Sequence, residues 1–175
     1  MRTISANSGC SQRAKGGLKK IYLISTAKVK SIDYDSSKAS YYNIVIASGA
    51  AFIGYSFDEG AAVFEEKTVV KKGSRTVSQS ITFSLSGQPA QTLKSLNEIL
   101  GTGSELMAIV VDANNTARVV GYSNLMGFER PLKIDSMQGS SQLELENLPD
   151  ENIVLTTISP SKAGVLLDDV YLASR

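Results

Sequence analysis

Apolar and polar residues alternate along much of the chain with the two-residue period of β-strands. The clearest case is the stretch 75–85, in which mostly apolar residues alternate with serine and threonine. Its two sets are Val77, Gln79, Ile81, Phe83 and Leu85, and Thr76, Ser78, Ser80, Thr82 and Ser84. Such a pattern predicts a half-buried antiparallel strand whose outer face is lined by hydroxyl groups.

Similar runs of β-branched and aromatic residues predict strands along most of the remaining chain. These strands are expected at 18–25, 29–34, 41–47, 51–57, 61–70, 105–112, 116–122, 127–137, 141–145, 153–158 and 165–172. In the strand 29–34, strict alternation predicts Val29 and Ser31 on one face and Lys30 and Ile32 on the other. A second hairpin is expected around Asn114-Asn115, because asparagine tolerates the positive φ that such turns need.

The strands 61–70 and 75–85 flank Lys71-Lys72-Gly73-Ser74, a cationic turn that contains glycine. This arrangement is typical of a β-hairpin. Both strands exceed the usual length of about five or six residues. We therefore predict a long hairpin whose tip projects beyond the rest of the domain.

One amphipathic helix is predicted after this hairpin. Pro89 suits a first helical turn, and Gly101 suits the position after a helix end. Between them, Leu93, Leu96, Ile99 and Leu100 form one apolar stripe. The fold class is therefore mainly β (α+β): an antiparallel β-sandwich or barrel with one flanking helix. Residues 18–175 are expected to form a single domain, after a flexible basic N-terminal arm at 1–17.

Composition argues against catalysis. The chain of 175 residues has no histidine and one cysteine, and its formal net charge is +1. It lacks the side chain most used for acid–base chemistry near neutral pH and the commonest zinc ligand. There is no phosphate-binding glycine motif and no apolar run long enough to span a membrane. We expect no enzyme activity, no cofactor, no metal and no membrane association.

Two stretches carry a resemblance to a known group of proteins. One runs from Met107 to Asn147 and includes the turn Asp112-Ala113-Asn114-Asn115, then Val120-Gly121-Tyr122 and a continuation to Leu145. The other is Gly9-Cys10, a basic spacer and then Gly16-Gly17-Leu18-Lys19-Lys20-Ile21-Tyr22-Leu23. Together they resemble structural proteins of phages and prophages of Bacteroides-like bacteria and the wider tail-tube fold. One departure is that Asn115 stands where this group's turn has glycine.

The resemblance implies a β-sandwich or half-barrel subunit of a virion, assembled in the bacterial host cytoplasm. It implies a homo-oligomeric ring, by analogy a hexamer, that stacks with other tail or neck proteins and conducts genomic DNA without sequence-specific binding. A neck ring or tail terminator at the head–tail connector is an alternative within the virion. A carbohydrate-binding or adhesin β-sandwich is an alternative of another class, although the chain has no tryptophan for a sugar platform.

Candidate contact residues lie in the arm, the first strand and the hairpin tip. They are Arg13, Lys15, Lys19, Lys20, Lys71, Lys72, Gly73 and Arg75. The arm is either a solvated terminus, a nucleic-acid contact or, as we favour, an element that docks on an acidic neighbour, because the C-terminal third is rich in acids. The tip is either solvated or, as we favour, a contact with an adjacent subunit or ring.

Overall fold

The structure is a computed structural model that describes residues 17–58, 60–71, 73–86, 105–140 and 150–167. Within these residues the fold is mainly β, as predicted. The strands are β1 (Leu18–Ser25), β2 (Val29–Asp35), β3 (Ser40–Ile46), β4 (Ile53–Ser56), β5 (Ala62–Lys71), β6 (Ser74–Ser86), β7 (Leu106–Asp112), β8 (Ala117–Val120), β9 (Lys133–Ser140), β10 (Asp150–Ser159) and β11 (Gly164–Leu166). A 3-10 turn, Thr26–Lys28, joins β1 to β2.

The strands form two sheets. The larger sheet has seven strands in the order β2-β3-β11-β8-β7-β1-β4, and the smaller has four in the order β5-β6-β10-β9. All pairs in the four-stranded sheet are antiparallel. The larger sheet is mixed, because β11 pairs parallel with β3. The prediction of a wholly antiparallel fold is therefore wrong at this one pair.

The central strands of the larger sheet contribute side chains to two hydrophobic clusters. Ile21 and Leu23 of β1 belong to a cluster that also contains Phe83 and Ile153 of the smaller sheet. Ile24 belongs to the second cluster, which draws its buried residues from the larger sheet alone. Successive residues of a strand point to opposite faces, so both faces of these central strands are buried. The six apolar residues of β7, Leu106 to Val111, are typical of such a position.

The parallel pair of β3 and β11 depends on a glycine. A Cβ atom on Gly164 would clash with the ring of Tyr41, which packs directly over it. The Tyr41 hydroxyl accepts a hydrogen bond from the backbone N–H of Asn124 at 3.1 Å. Burial raises the pKa of Tyr41 to about 12, because a charged phenolate would be poorly solvated at this position. This contact fixes the short strand β11 against the loop that follows β8.

Several sequence predictions agree with the structure. Strand β1 has the predicted bounds, and β5 and β6 form the predicted long hairpin. The core-facing set of β6 is buried as expected, including Gln79, which is only 2% exposed. Asn115 has φ 60°, as its turn requires. The predicted helix around Pro89–Gly101 and the predicted strand 141–145 lie outside the described residues.

Two local predictions are wrong. Register shifts at Val29/Ser31 and Asp33/Tyr34 interrupt the alternation of β2, so Val29 and Ile32 are both buried in the second cluster. A β-bulge inserts an extra residue and reverses which face the following residues occupy. The strand predicted from Gly127 begins only at Lys133, because residues 121–131 form turns.

Gly121 and Gly49 provide a matched test of the packing between β7 and the loop before β9. Both have positive φ, at 85° and 77°. A Cβ on Gly121 would lie 2.7 Å from the carbonyl oxygen of Leu106, whereas one on Gly49 would meet nothing within 4 Å. We expect Gly121→Ala to lower the free energy of unfolding by about 3 kcal/mol or more and Gly49→Ala by about 1 kcal/mol. Urea denaturation measures both, and equal losses would contradict the close approach.

Candidate assembly surfaces

Each sheet ends in two strands that have a neighbour on one side only. In the four-stranded sheet these are β5 and β9, and in the larger sheet they are β2 and β4. The outer backbone N–H and C=O groups of such strands have no partner strand within the described residues. An unpaired edge of this kind can accept a strand from another chain.

The four edges differ in how readily they can extend a sheet. Strand β4 has four residues, and β2 carries two register shifts, and both features are known to protect sheet edges from pairing. Strand β5 has ten residues in unbroken register with β6. Strand β9 has eight residues with one shift, between Val154 and Leu155 of its partner β10. The longest regular edges therefore belong to the four-stranded sheet.

The hairpin of β5 and β6 extends beyond the third strand of its sheet. Strand β10 pairs with β6 as far as Val77, whereas β5 continues to pair with β6 at Thr76, Arg75 and Ser74. Three residue pairs thus form a two-stranded tip. Gly73 in its turn has φ 78°, a conformation that favours glycine. Val70 at the tip is 69% exposed and pairs with Arg75, so the tip presents an apolar residue next to a basic one.

The predicted contact residues fall into three groups. Arg13, Lys15 and Lys72 lie outside the described residues, as does the side chain of Lys71. Gly73 and Arg75 lie at the exposed hairpin tip, and the Arg75 guanidinium has no ion pair with a described residue. Lys19 and Lys20 lie on β1, an interior strand of the other sheet.

Two lysines of β1 lie at the end of the molecule opposite the hairpin tip. The backbone N–H of Phe57 donates to the carbonyl of Lys19, which places β1 beside the turn before β5. The Lys19 ammonium donates to Oδ1 of Asn115 at 3.2 Å. Gly17 approaches the first residue of β5, since a Cβ on it would lie 3.4 Å from the carbonyl oxygen of Ala62. The predicted arm and the predicted tip therefore join the fold at opposite ends of β5.

The outer face of the four-stranded sheet carries hydroxyl groups along its two central strands. We define this hydroxyl face as Ser78, Ser80, Thr82, Ser84 and Thr156, all of them at least partly exposed. Glu65 and Lys67 flank it on β5, and Lys133 flanks it on β9. Residues of opposite charge thus lie among neutral hydroxyl groups. The described residues of this face form no basic patch that would bind a phosphate backbone.

A cleft of about 410 Å³ lies on the core side of β5, between the two sheets. Glu66 in this cleft accepts hydrogen bonds from Nε2 of the buried Gln79 at 3.0 Å and from the backbone N–H of Ala163 at 2.6 Å. Gln79 also donates to the carbonyl of Ser161 at 3.3 Å. These bonds hold the loop between β10 and β11 against the hairpin and keep edge strand β5 in place.

Sequence reasoning missed the importance of β9 and of Glu66. The turns before β9 obscure its start in the sequence, and the sequence analysis assigned no role to Glu66. The one available signal was Gln79, a lone amide in the apolar set of β6, since a buried amide requires a partner. Among the described residues, no three His, Cys, Asp or Glu side chains are grouped to hold a metal ion. No helix within the described ranges is long and apolar enough to cross a membrane.

Comparison with known proteins gives no relatives. No protein-family model matches the chain, and no curated protein or solved structure is significantly similar to it.

Glu65 and Glu66 offer a matched pair on the edge strand, because they are adjacent and face opposite ways. Removing Glu66 leaves the buried Ala163 N–H without its acceptor, so we expect Glu66→Ala to lower the free energy of unfolding by about 1–3 kcal/mol. Glu65 is exposed, and Glu65→Ala should change it by less than about 0.5 kcal/mol. Chemical denaturation of both variants checks this, and equal effects would contradict the role assigned to Glu66.

Proposed function

We propose that this chain is a non-catalytic structural protein of a bacteriophage virion, a tail-tube-like subunit that assembles into rings. The observation that carries the proposal is the four-stranded antiparallel sheet, whose long end strands β5 and β9 have a partner strand on one side only within the described residues. Edge-to-edge pairing between copies would join these sheets around a central axis. The sequence resemblance to tail-tube-like phage proteins supplies the biological setting, with the virion tail or neck as the location and genomic DNA as the passing cargo.

The direction of the edge strands supports such a ring. Successive strands of this sheet are antiparallel and four in number, so β5 and β9 run in opposite directions. Rotation about a ring axis preserves the direction of every strand along that axis. Strand β9 of one copy would therefore meet β5 of the next in antiparallel orientation, and the alternation would continue around the ring. A hexamer is the copy number that the resemblance implies.

The hydroxyl face supports a channel wall that passes DNA. If the core side of the four-stranded sheet faces the larger sheet, its other side, where the hydroxyl face is partly exposed, would line the inner surface of a ring. The hydroxyl side chains there are small and neutral, and the exposed Val63 and Ile158 on the same face are uncharged. Such a face would not bind phosphates strongly. Glu65 would add repulsion, which Lys67 and Lys133 would offset.

We also propose that the two sheets form the β-sandwich or half-barrel of this class of subunit. The cluster shared by Ile21, Phe83 and Ile153 supports it, since each sheet covers one face of the other there. A neck ring or tail terminator would use the same two edges. Such a ring would cap a tube and would not form long stacks of its own.

Engineered disulfides test which edges meet. In a Cys10→Ser background, Lys133→Cys on β9 is combined in turn with Val63→Cys, Glu65→Cys or Lys67→Cys on β5. All four positions lie on the outer face. Lys133 pairs with Thr156, Thr156 pairs with Ser80, and Ser80 pairs with Glu65, so Lys133 and Glu65 lie at the same height along the sheet. Paired strands bring Cα atoms within disulfide range, so at least one pair should give a ladder of oligomers ending at a closed ring on non-reducing gels.

The control pair uses the edges of the larger sheet. Ser31→Cys on β2 and Ser56→Cys on β4 are both exposed and should remain monomeric under the same oxidation. A ladder from this pair, or none from any of the three β5–β9 pairs at high protein concentration, would overturn the proposed ring.

A further inference from the structure

The cleft between the two sheets contains an arginine without a partner. Arg118 of β8 pairs with Val110 of β7, and residues paired in this way share one face of a sheet. Val110 belongs to the cluster that the two sheets share, so Arg118 points toward the smaller sheet. The residue is partly buried, and its guanidinium forms no hydrogen bond or ion pair with a described residue. Partial burial of a charge without an acceptor costs free energy, which a bound anion would recover.

A second cation borders the same cleft. Lys162 lies in the loop between β10 and β11, lines the cleft and is exposed. Its ammonium also has no ion pair with a described residue. The bond from the Ala163 N–H to Glu66 holds this loop in place. Two unpaired cations, from β8 and from this loop, therefore border one space of about 410 Å³.

The two carboxylates that line the cleft already have donors. Oε1 of Glu66 accepts the two hydrogen bonds described above. Oδ1 of Asp112 accepts from the backbone N–H groups of Asn114 at 2.8 Å and Thr116 at 2.9 Å. Neither carboxylate forms a salt bridge with a described residue. The acids are thus fixed by neutral donors, while the positive charges of the cleft remain unused.

The core side of the cleft is apolar. Leu18 and Val110 line it and are buried, and the ring of the partly buried Phe64 packs against the same cluster. Sites for small molecules combine an apolar lining with a few polar groups and have volumes of about 300–1,000 Å³. The cleft has this composition and lies at the lower end of this range of volumes.

We propose that the cleft binds a small organic acid in which one carboxylate is attached to an apolar group. Arg118 would donate two parallel N–H bonds to the carboxylate, the geometry in which a guanidinium matches this anion best. Lys162 would add a positive charge at the mouth, and the apolar group would lie against Phe64. Glu66 and Asp112 favour a monoanion over a dianion such as phosphate, because they repel each added negative charge. Binding does not require the proposed ring, since one copy supplies every lining residue.

Phenylacetate is a suitable probe, with its neutral analogue phenylacetamide and inorganic phosphate as comparisons. Titration of the wild-type protein, followed by NMR, should give saturable shifts of the amides of Val110, Arg118 and Ala163. Phenylacetamide and phosphate should each bind at least about tenfold more weakly, because one lacks the charge and the other lacks the apolar group. Equal affinity for either comparison, or no saturable shift at up to about 10 mM phenylacetate, would overturn the inference and leave the ring proposal intact.

Arg118→Gln and Arg130→Gln form a matched pair of variants. Each removes one positive charge, but Arg130 is exposed and does not line the cleft. We expect Arg118→Gln to weaken phenylacetate binding at least about tenfold and Arg130→Gln less than about twofold. Equal weakening would mean that net charge alone attracts the probe and would contradict the site.

Lys162→Gln keeps the inference testable should Arg118→Gln fail to fold. Lys162 is exposed in a loop, so its substitution leaves the core unchanged. It should weaken phenylacetate binding by about two- to fivefold, since the ammonium contributes only a partly screened charge. Unchanged affinity in this variant would contradict the role assigned to the cleft cations.

Discussion

A β-sheet leaves the outer N–H and C=O groups of its two end strands without partners within the sheet, and the assembly that we propose depends on which strands occupy those positions. In the larger sheet the ends are β2, which is broken by two register shifts, and β4, which has four residues. In the smaller sheet they are β5 and β9, which are long and mostly regular. Features that protect a sheet edge are thus concentrated on the larger sheet, and the long end strands belong to the smaller sheet.

The sheet with the long end strands also carries different charges at its two ends within the described residues. Its edges present backbone hydrogen-bonding groups, whose pairing is directional and little affected by salt. Its ends carry Arg75 on one side and Asp58 and Glu151 on the other.

The local pattern of apolar and polar residues predicted individual strands and turns well. It did not predict which strands pair with one another. The alternation of residues 77–85 predicted the buried face of β6, and Asn115 predicted the turn between β7 and β8. Both features depend only on residues that are adjacent in the sequence. The exposed edges could not be predicted, because whether β5 or β9 ends a sheet depends on which distant strands pair. The parallel contact of β11 with β3 joins Val165 to Ser40 across most of the chain. The prediction of which face each residue of β2 occupies failed because of its bulges. A strict two-residue period does not allow for an inserted residue.

Amide hydrogen exchange measured against protein concentration tests the central claim most directly. The account predicts that the outward-facing amides of β5 and β9 exchange fast in dilute protein and become protected as concentration rises, while β2 and β4 do not change. Exchange that remains fast in β5 and β9 at every concentration, or protection gained instead by β2 and β4, would contradict it.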